Sequence, residues 1–416
     1  MDYSFDTIIN RKGSLSVKWN KEAVKQICGN PEAIPFWVAD MDFQVAPQIL
    51  EQARALAEHG IYGYPYANNQ RQVFCRWAKS RHQMTVDPKQ VVISQGVLNS
   101  LAILVEMCSN EGDGIIVPMP AYQPFVTIIN RQQRTLLEWP LLYDQRTLGF
   151  SLDWAALDQL CSKAKILIFC SPHNPTGLVF SNEDLIRLCS IAKQHGVLII
   201  SDEIHADLSY TKHICILEAA EQTGCEAIAC MAPSKTFNIA GEHYSVTLFN
   251  NMELKSEYVT RLERLFLNST STFATTVAIA AYEHGLSYLE QLLSYLQETV
   301  VSIDEFLQNH VPSIQCIRPE ASFIALLDCS DIVALVEEDE KANPDLYNPA
   351  LSPSGGLMSR FFGQRAGIVV NDGTWFGGTN YRNFVRFNYG APRSTVLEAL
   401  KRIEKAVTFL QETYQK

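Results

Sequence analysis

A lysine, an aspartate and an asparagine sit in three short segments that each follow an apolar run: Lys235 in MAPSKTFN, Asp202 in DEIHADL and Asn174 in SPHNPTG. An amine that is buried or set near other cations loses its proton more readily, and can serve as nucleophile, Schiff-base former and proton carrier. A lone lysine is far more often a solvated loop residue, so Lys235 gains meaning from its neighbours. Asp202 closes the apolar run 197–201, and a carboxylate at a buried strand end needs a partner. A protonated pyridine nitrogen would be one, the ion pair keeping that ring an electron sink; a structural cap is the other reading. Asn174 lies in a turn fixed by prolines. Its side chain could donate to a phenolate-like oxygen of a ligand, or bond its own backbone.

Other segments add pieces of the same kind. Gly96, Val97 and Leu98 follow the run 91–94 and precede a helical pattern that begins near Asn99. Glycine allows a tight turn, and the N–H groups that open a helix make an anion cradle suited to phosphate. Many strand-to-helix turns share this pattern. The chain has no G-x-G-x-x-G and no G-x-x-x-x-G-K-[ST], which disfavours a Rossmann dinucleotide site and a P-loop. Tyr122 in PAYQPF could lie flat on an aromatic ligand ring, or simply pack at the core's rim. Arg386 in FVRFNYGAPR could hold a carboxylate bidentately, or complete a structural ion pair.

The elements that would position these residues are legible from hydropathy. Strands are expected at 91–94, 115–117, 166–170, 197–201, 227–231 and 246–249, most of them apolar throughout, as strands covered on both faces must be. Helical patterns lie between them, such as 182–195, which Gly196 ends as a C-cap. Strand and helix in alternation imply a mainly parallel sheet with helices on both faces. Ligands sit beyond the carboxyl ends of such strands, where this chain places QGVLNS, PMPAYQPF, SPHNPTG, DEIHADL and APSKTFN. From about Ala274 a long helical stretch leads out to further strands at 323–328, 368–370 and 384–387, read as a smaller C-terminal domain. Residues 337–356, charged and then rich in Pro, Ser and Gly, read as a surface insertion.

Bulk properties narrow the class. The 416 residues are 47% hydrophobic and 19% charged, which suits a globular chain of two or three domains. A net charge of −11 without a Lys/Arg cluster argues against a nucleic-acid partner. The 11 cysteines are scattered, odd in number and form no CxxC pair. That favours reduced thiols in the cytoplasm over disulfides or a metal site. The N-terminal MDYSFDTIINRKG has no apolar core for a signal peptide, and no run of 18 apolar residues predicts a membrane helix.

Taken together, the segments resemble the class I/II aminotransferase-like family of fold-type I pyridoxal 5′-phosphate enzymes, and within it the cystathionine β-lyase (C–S lyase) subgroup. Nine motifs carry the likeness over nearly the whole chain: SVKWN near Lys18, FWVADMDF at 36–43, HGIYGY at 59–64, SQGV at 94–97, SPHNPTG at 171–177, DEIHADL at 202–208, APSKTFNIAG at 232–241, NDGTWFG at 371–377 and FVRFNYGAPR at 384–393. WVADMDF and DEIHADL favour the lyases over true transaminases.

The resemblance implies an α/β fold whose large domain holds a mainly parallel seven-stranded sheet, beside a smaller α+β C-terminal domain. The divisions would be an N-terminal segment at 1–45 packed with the small domain, the cofactor-binding domain at 46–295 and the small domain at 296–416. It implies that Lys235 carries pyridoxal 5′-phosphate as a Schiff base and, with Tyr122, is catalytic. Asp202 would pair with the pyridine nitrogen, Tyr122 would stack near the ring, and Asn174 would bond its 3′-oxygen. The backbone at Gly96, Val97 and Leu98, with Ser234, would hold the phosphate, and His205 would lie close to the ring. Tyr64 would reach the neighbouring subunit's site, which implies a homodimer. Ala39, Tyr64, Asn174 and Arg386 would contact the amino-acid substrate.

The implied reaction is β-elimination from a cysteine thioether such as L-cystathionine; an aminotransferase or a specialised biosynthetic tailoring enzyme on the same scaffold is the alternative. The chain departs from the family pattern at His243, where transaminase-type relatives carry Arg or Lys, at Glu242, usually apolar in the lyases, at PEASF (319–323) and in the 337–356 insertion. These departures leave the substrate open.

Overall fold

The structure is a computed structural model that describes residues 3–415. Its strands in chain order are β1 (Ile34–Pro35), β2 (Val91–Ser94), β3 (Gly114–Met119), β4 (Thr135–Asp144), β5 (Gly149–Leu152), β6 (Ala164–Cys170) and β7 (Leu198–Asp202). There follow β8 (Ala227–Met231), β9 (Ser245–Phe249), β10 (Gln315–Ile317), β11 (Ile324–Asp328), β12 (Ile368–Val369), β13 (Asn371–Asp372) and β14 (Phe384–Asn388). The large sheet runs β2-β9-β8-β7-β6-β3-β4-β5. From β8 to β4 every neighbour is parallel, while β9 and β5 lie antiparallel to the strands beside them.

All six strands expected from apolar runs are present, but the sheet has eight strands and not seven. The additions are β4 and β5, an edge hairpin with exposed positions along it, including Glu138 and Leu142. Its residues form no continuous apolar run, so hydropathy does not reveal it. The central strands are covered on both faces as their composition requires. Along β6, Ile166 and Ile168 pack into one core and Leu167 and Phe169 into the other.

Helix Asn182–His195 has the expected limits. The Ser181 hydroxyl accepts from Asp184 N–H at its start, and Gly196 ends it in the left-handed region at φ 68°. The stretch after Ala274 is two helices, Thr272–His284 and Leu286–His310, broken at Gly285. A Cβ there would lie 2.2 Å from the Phe237 ring, so glycine permits the close approach. The second of these helices runs across residues 295 and 296.

The C-terminal strands form an antiparallel sheet β10-β11-β14-β13. The strand expected at 368–370 is shorter and lies outside this sheet, because β12 pairs in parallel with β1. That pairing carries residues 36–43 back toward the large sheet. The 337–356 segment is not the plain surface insertion expected. Residues up to Ala342 continue helix Ser330–Ala342, and buried Asp339 accepts from Arg365, Tyr347 and Tyr414, which anchors the turns that follow.

Each of the 11 cysteines is a free thiol; nine are buried and Cys75 and Cys108 are half-buried. Among the described residues no helix is long and apolar enough to cross a membrane. Met1, Asp2 and Lys416, which fall within the expected N- and C-terminal divisions, lie outside the described residues.

Candidate active site

Parallel strands leave their outgoing loops along one edge of a sheet. Here the loops after β2, β3, β6, β7 and β8, with Ala39 from the segment after β1, enclose a cavity of about 270 Å³. Lys235, Asp202, Asn174, Tyr122, His205 and Ser234 are on its wall. So are Ala39 and the turn Gly96, Val97 and Leu98.

Lys235 donates from Nζ to the Ala39 carbonyl at 2.7 Å. Burial brings its pKa down to about 8; Asp40 opposes that, Arg386 adds to it and Asp202 opposes it again. Asp202 ends β7 and is buried. Among the described residues its carboxylate accepts one hydrogen bond, from Ile204 N–H at 3.0 Å, and no cation lies within salt-bridge reach. Burial therefore lifts its pKa to about 7, against the Ile204 bond and the Lys235 charge. A buried carboxylate without a cation is an incomplete arrangement.

Gly96 has φ 95°, in the region that glycine alone enters freely, and caps helix Val97–Cys108. The first N–H groups of a helix have no partner within it, and here they open onto the cavity. His243 stands beside this turn, with Nδ1 3.7 Å from the point a Gly96 Cβ would occupy. The helical pattern begins at Val97, two residues before the expected Asn99.

Arg386, on β14, is buried just behind Asn174 and not in the cavity wall itself. Its Nη1 donates to Asn174 Oδ1 at 3.2 Å, and Nη2 to the Trp37 carbonyl and Asn371 Oδ1, both at 2.7 Å. Nε bonds nothing. No carboxylate lies within 4.0 Å among the described residues, so the structural ion pair considered from sequence does not form. Burial lowers the guanidinium pKa to about 10, which still leaves it charged at neutral pH. With Asn174 Oδ1 engaged by Arg386, the Asn174 amide donors have no partner among the described residues.

His205 Nδ1 lies 3.0 Å from Ser322 Oγ. Burial, helped by the charges of Lys235 and Arg386, brings its pKa down to about 3, so the ring is neutral at ordinary pH. Ser322 belongs to PEASF and has φ 76°. Tyr122 packs edge-on against Phe125 and Trp375, and among the described residues its hydroxyl makes no hydrogen bond. Burial raises its pKa. Tyr64 is fully exposed and does not line the chain's own cavity.

The sequence does not single out Asp40, Trp37, Asn371 or Ser322. Asp40 is pinned by Arg11, with bonds of 2.9 and 3.0 Å, and supports the Lys235 charge. Three of these four fall inside motifs already quoted for other residues, FWVADMDF and NDGTWFG; Ser322 lies in PEASF, marked only as a departure from the family pattern.

The family model described as Aminotransferase class I and II matches residues 32–403. The chain is 30% identical to cystathionine beta-lyase PatB of Bacillus subtilis (strain 168) over 97% of its length and 100% of that protein. Among solved structures, cystalysin from Treponema denticola, which contains a pyridoxal 5′-phosphate cofactor, superposes with a TM-score of 0.87 at 27% identity, covering 99% of this chain and 100% of that one. The pyridoxal-phosphate-bound C–S lyase from Staphylococcus hominis gives 0.85 at 27% identity, with 98% of each chain covered.

Proposed function

The chain belongs to the aminotransferase class I and II family of pyridoxal-phosphate-dependent enzymes, in its C–S lyase group, and from that footing we propose that it is a carbon–sulfur β-lyase acting on a cysteine thioether such as L-cystathionine. The overall reaction consumes one water, breaks the Cβ–S bond and yields a thiol, pyruvate and ammonia. The observation that carries the reading is the end-to-end likeness to a named β-lyase, 30% over 97% of the chain.

The cavity fits the cofactor. The helix start at Gly96 offers unpaired N–H groups for a phosphate, Asp202 is a buried carboxylate lacking a cation, and Lys235 is an amine of lowered pKa. When bound, pyridoxal phosphate supplies an electron sink for the carbanion formed at the substrate's Cα. Val97 and Leu98 N–H, with Ser234, would hold its phosphate. Asp202 would face the ring nitrogen and keep it protonated, and the free Asn174 amide would donate to the ring's oxygen. Tyr122 would lie against the ring.

Lys235 Nζ, once free, would take the Cα proton; its lowered pKa leaves a useful fraction deprotonated near neutral pH. Arg386 and the backbone near Ala39 would grip the substrate carboxylate and so fix which Cα bond is broken. Neutral His205, held by Ser322, cannot compete as a second cation. We take the working enzyme to be a cytoplasmic homodimer, with Tyr64 of each chain completing the other's site. Residues 46–295 would bind the cofactor and 296–416 form the smaller domain.

Transamination uses the same residues and is the alternative, as is a tailoring reaction on a larger thioether, which exposed His243 and half-buried Glu242 near the cavity would suit. The test is pyruvate release from L-cystathionine by purified holoenzyme with no keto acid present. Pyruvate without keto acid is expected; an absolute need for a keto acid would replace the lyase reading with a transaminase. Lys235→Ala should lose the cofactor's yellow absorbance and at least ~10²–10⁴-fold in rate.

A further inference from the structure

The turn that would take the cofactor's phosphate has no fixed cation beside it to spare. Lys235 is the one lysine or arginine on the cavity wall among the described residues, and it shares that wall with Asp202. It is also the amine reserved for the cofactor's aldehyde. A phosphate monoester carries about −1.5 to −2 charge near pH 7. The N–H groups of Val97 and Leu98 and the Ser234 hydroxyl would bond its oxygens but bring no full positive charge. His205 is buried and neutral, so it brings none either.

His243 is differently placed. It is exposed and lies on the same wall, with Nδ1 3.7 Å and Cα 3.9 Å from the point a Gly96 Cβ would occupy. Its ring therefore rests against the turn that starts helix Val97–Cys108. Among the described residues that ring makes no hydrogen bond and no ion pair. Glu242, half-buried and next to it in the chain, does not pair with it. The backbone at His243 is left-handed, φ 50° and ψ 51°, where it ends the short helical turn Ala240–Glu242. Histidine enters that region more often than most side chains, yet such residues persist only where their surroundings require it, and they cluster at ligand sites.

We propose that His243 is a phosphate-binding residue of the cofactor site, its imidazolium supplying the counter-charge that the Gly96 turn lacks. The inference rests on the cofactor, which the lyase and transaminase readings share, and not on the choice between them. Histidine ordinarily changes charge between pH 5 and 8. The contact therefore adds affinity in mild acid and loses its charge in mild alkali, where a fixed cation would keep it. The other titratable groups on the wall are Lys235, Asp202, His205, Tyr122, Tyr244 and Cys170. Their share cancels when variants of His243 alone are compared at one pH.

The test uses the full chain freed of cofactor, titrated separately with pyridoxal 5′-phosphate and with pyridoxal, which has the same ring and aldehyde but no phosphate. Absorbance of the bound ring reads both. His243→Asn keeps a residue suited to the left-handed backbone and removes the charge. At pH 6.5 it should weaken pyridoxal 5′-phosphate binding by about tenfold, and at pH 8.5 by about twofold or less. Both values lie above the phosphate's second pKa of about 6, so the probe's own charge changes little. Pyridoxal binding should be unchanged at either pH. His243→Arg should hold pyridoxal 5′-phosphate tightly at both. Equal weakening of the two probes in His243→Asn would show a structural role, and no weakening of either would show no contact; each overturns the proposal. A parent chain that binds no pyridoxal 5′-phosphate would overturn the cofactor reading itself, and this inference with it.

Discussion

Burial moves Asp202 and Lys235 in opposite directions, and the two consequences can be measured separately. Asp202, raised to about 7, binds its proton more tightly folded than unfolded. The stability this gives the cofactor-free protein is complete below about pH 4 and is lost as pH rises toward 7. Asp202→Asn removes that dependence, so in cofactor-free denaturant unfolding the parent should lose ground to the variant steadily between pH 4 and 7. Lys235, lowered to about 8, should become reactive at correspondingly lower pH. Its rate of reconstitution with pyridoxal phosphate should reach half its maximum near pH 8, well below the ordinary lysine value; a midpoint above 10 would contradict the burial argument. Lys235, Asp202 and Asn174 were legible because each stands at the end of an apolar run, where a polar side chain needs a reason. The Ser322 hydroxyl on His205 was not, because the two residues are 117 positions apart and neither local sequence points to the other.

Turns carry the next level of argument. An alanine Cβ at Gly96 would make only an ordinary 3.7 Å contact, so the penalty there is backbone conformation at φ 95°, about 1–2 kcal/mol. Gly96→Ala should therefore lower stability modestly and weaken cofactor binding by about tenfold as the N–H groups turn away. Cofactor fluorescence titration would report the second effect. Gly177, in SPHNPTG, differs: φ is 74° and a Cβ would fall 2.3 Å from Pro319 Cβ. Gly177→Ala should cost about 3 kcal/mol or more, read by thermal unfolding, because strain and clash coincide where the β6 loop meets the segment leading to β11. The central strands and helix Asn182–His195 could be drawn from sequence since their burial is uniform and their caps conventional. The β4–β5 hairpin could not, as its exposed edge mixes polar and apolar residues. The break at Gly285 was hidden because a glycine between two helical patterns does not reveal the phenylalanine ring that demands it.

At the level of the whole molecule, the exposed run Ile61, Tyr62, Tyr64 and Tyr66 is where the homodimer reading is most open to test. Light scattering should give twice the 46.8 kDa chain. Tyr64→Ala should leave monomer folding intact, since the side chain touches solvent in a single chain, while loosening cofactor retention several-fold; equal retention would remove Tyr64 from the site. The burial of nearly all the thiols has a practical corollary. An aromatic disulfide dye that colours on meeting a thiolate should label at most Cys75 and Cys108, and those slowly, since burial raises both and holds Cys108 near 11. The protein is thus almost invisible to the reagent that would reveal its expected product, and each thiol released from a substrate could be counted as it leaves, against a nearly silent background.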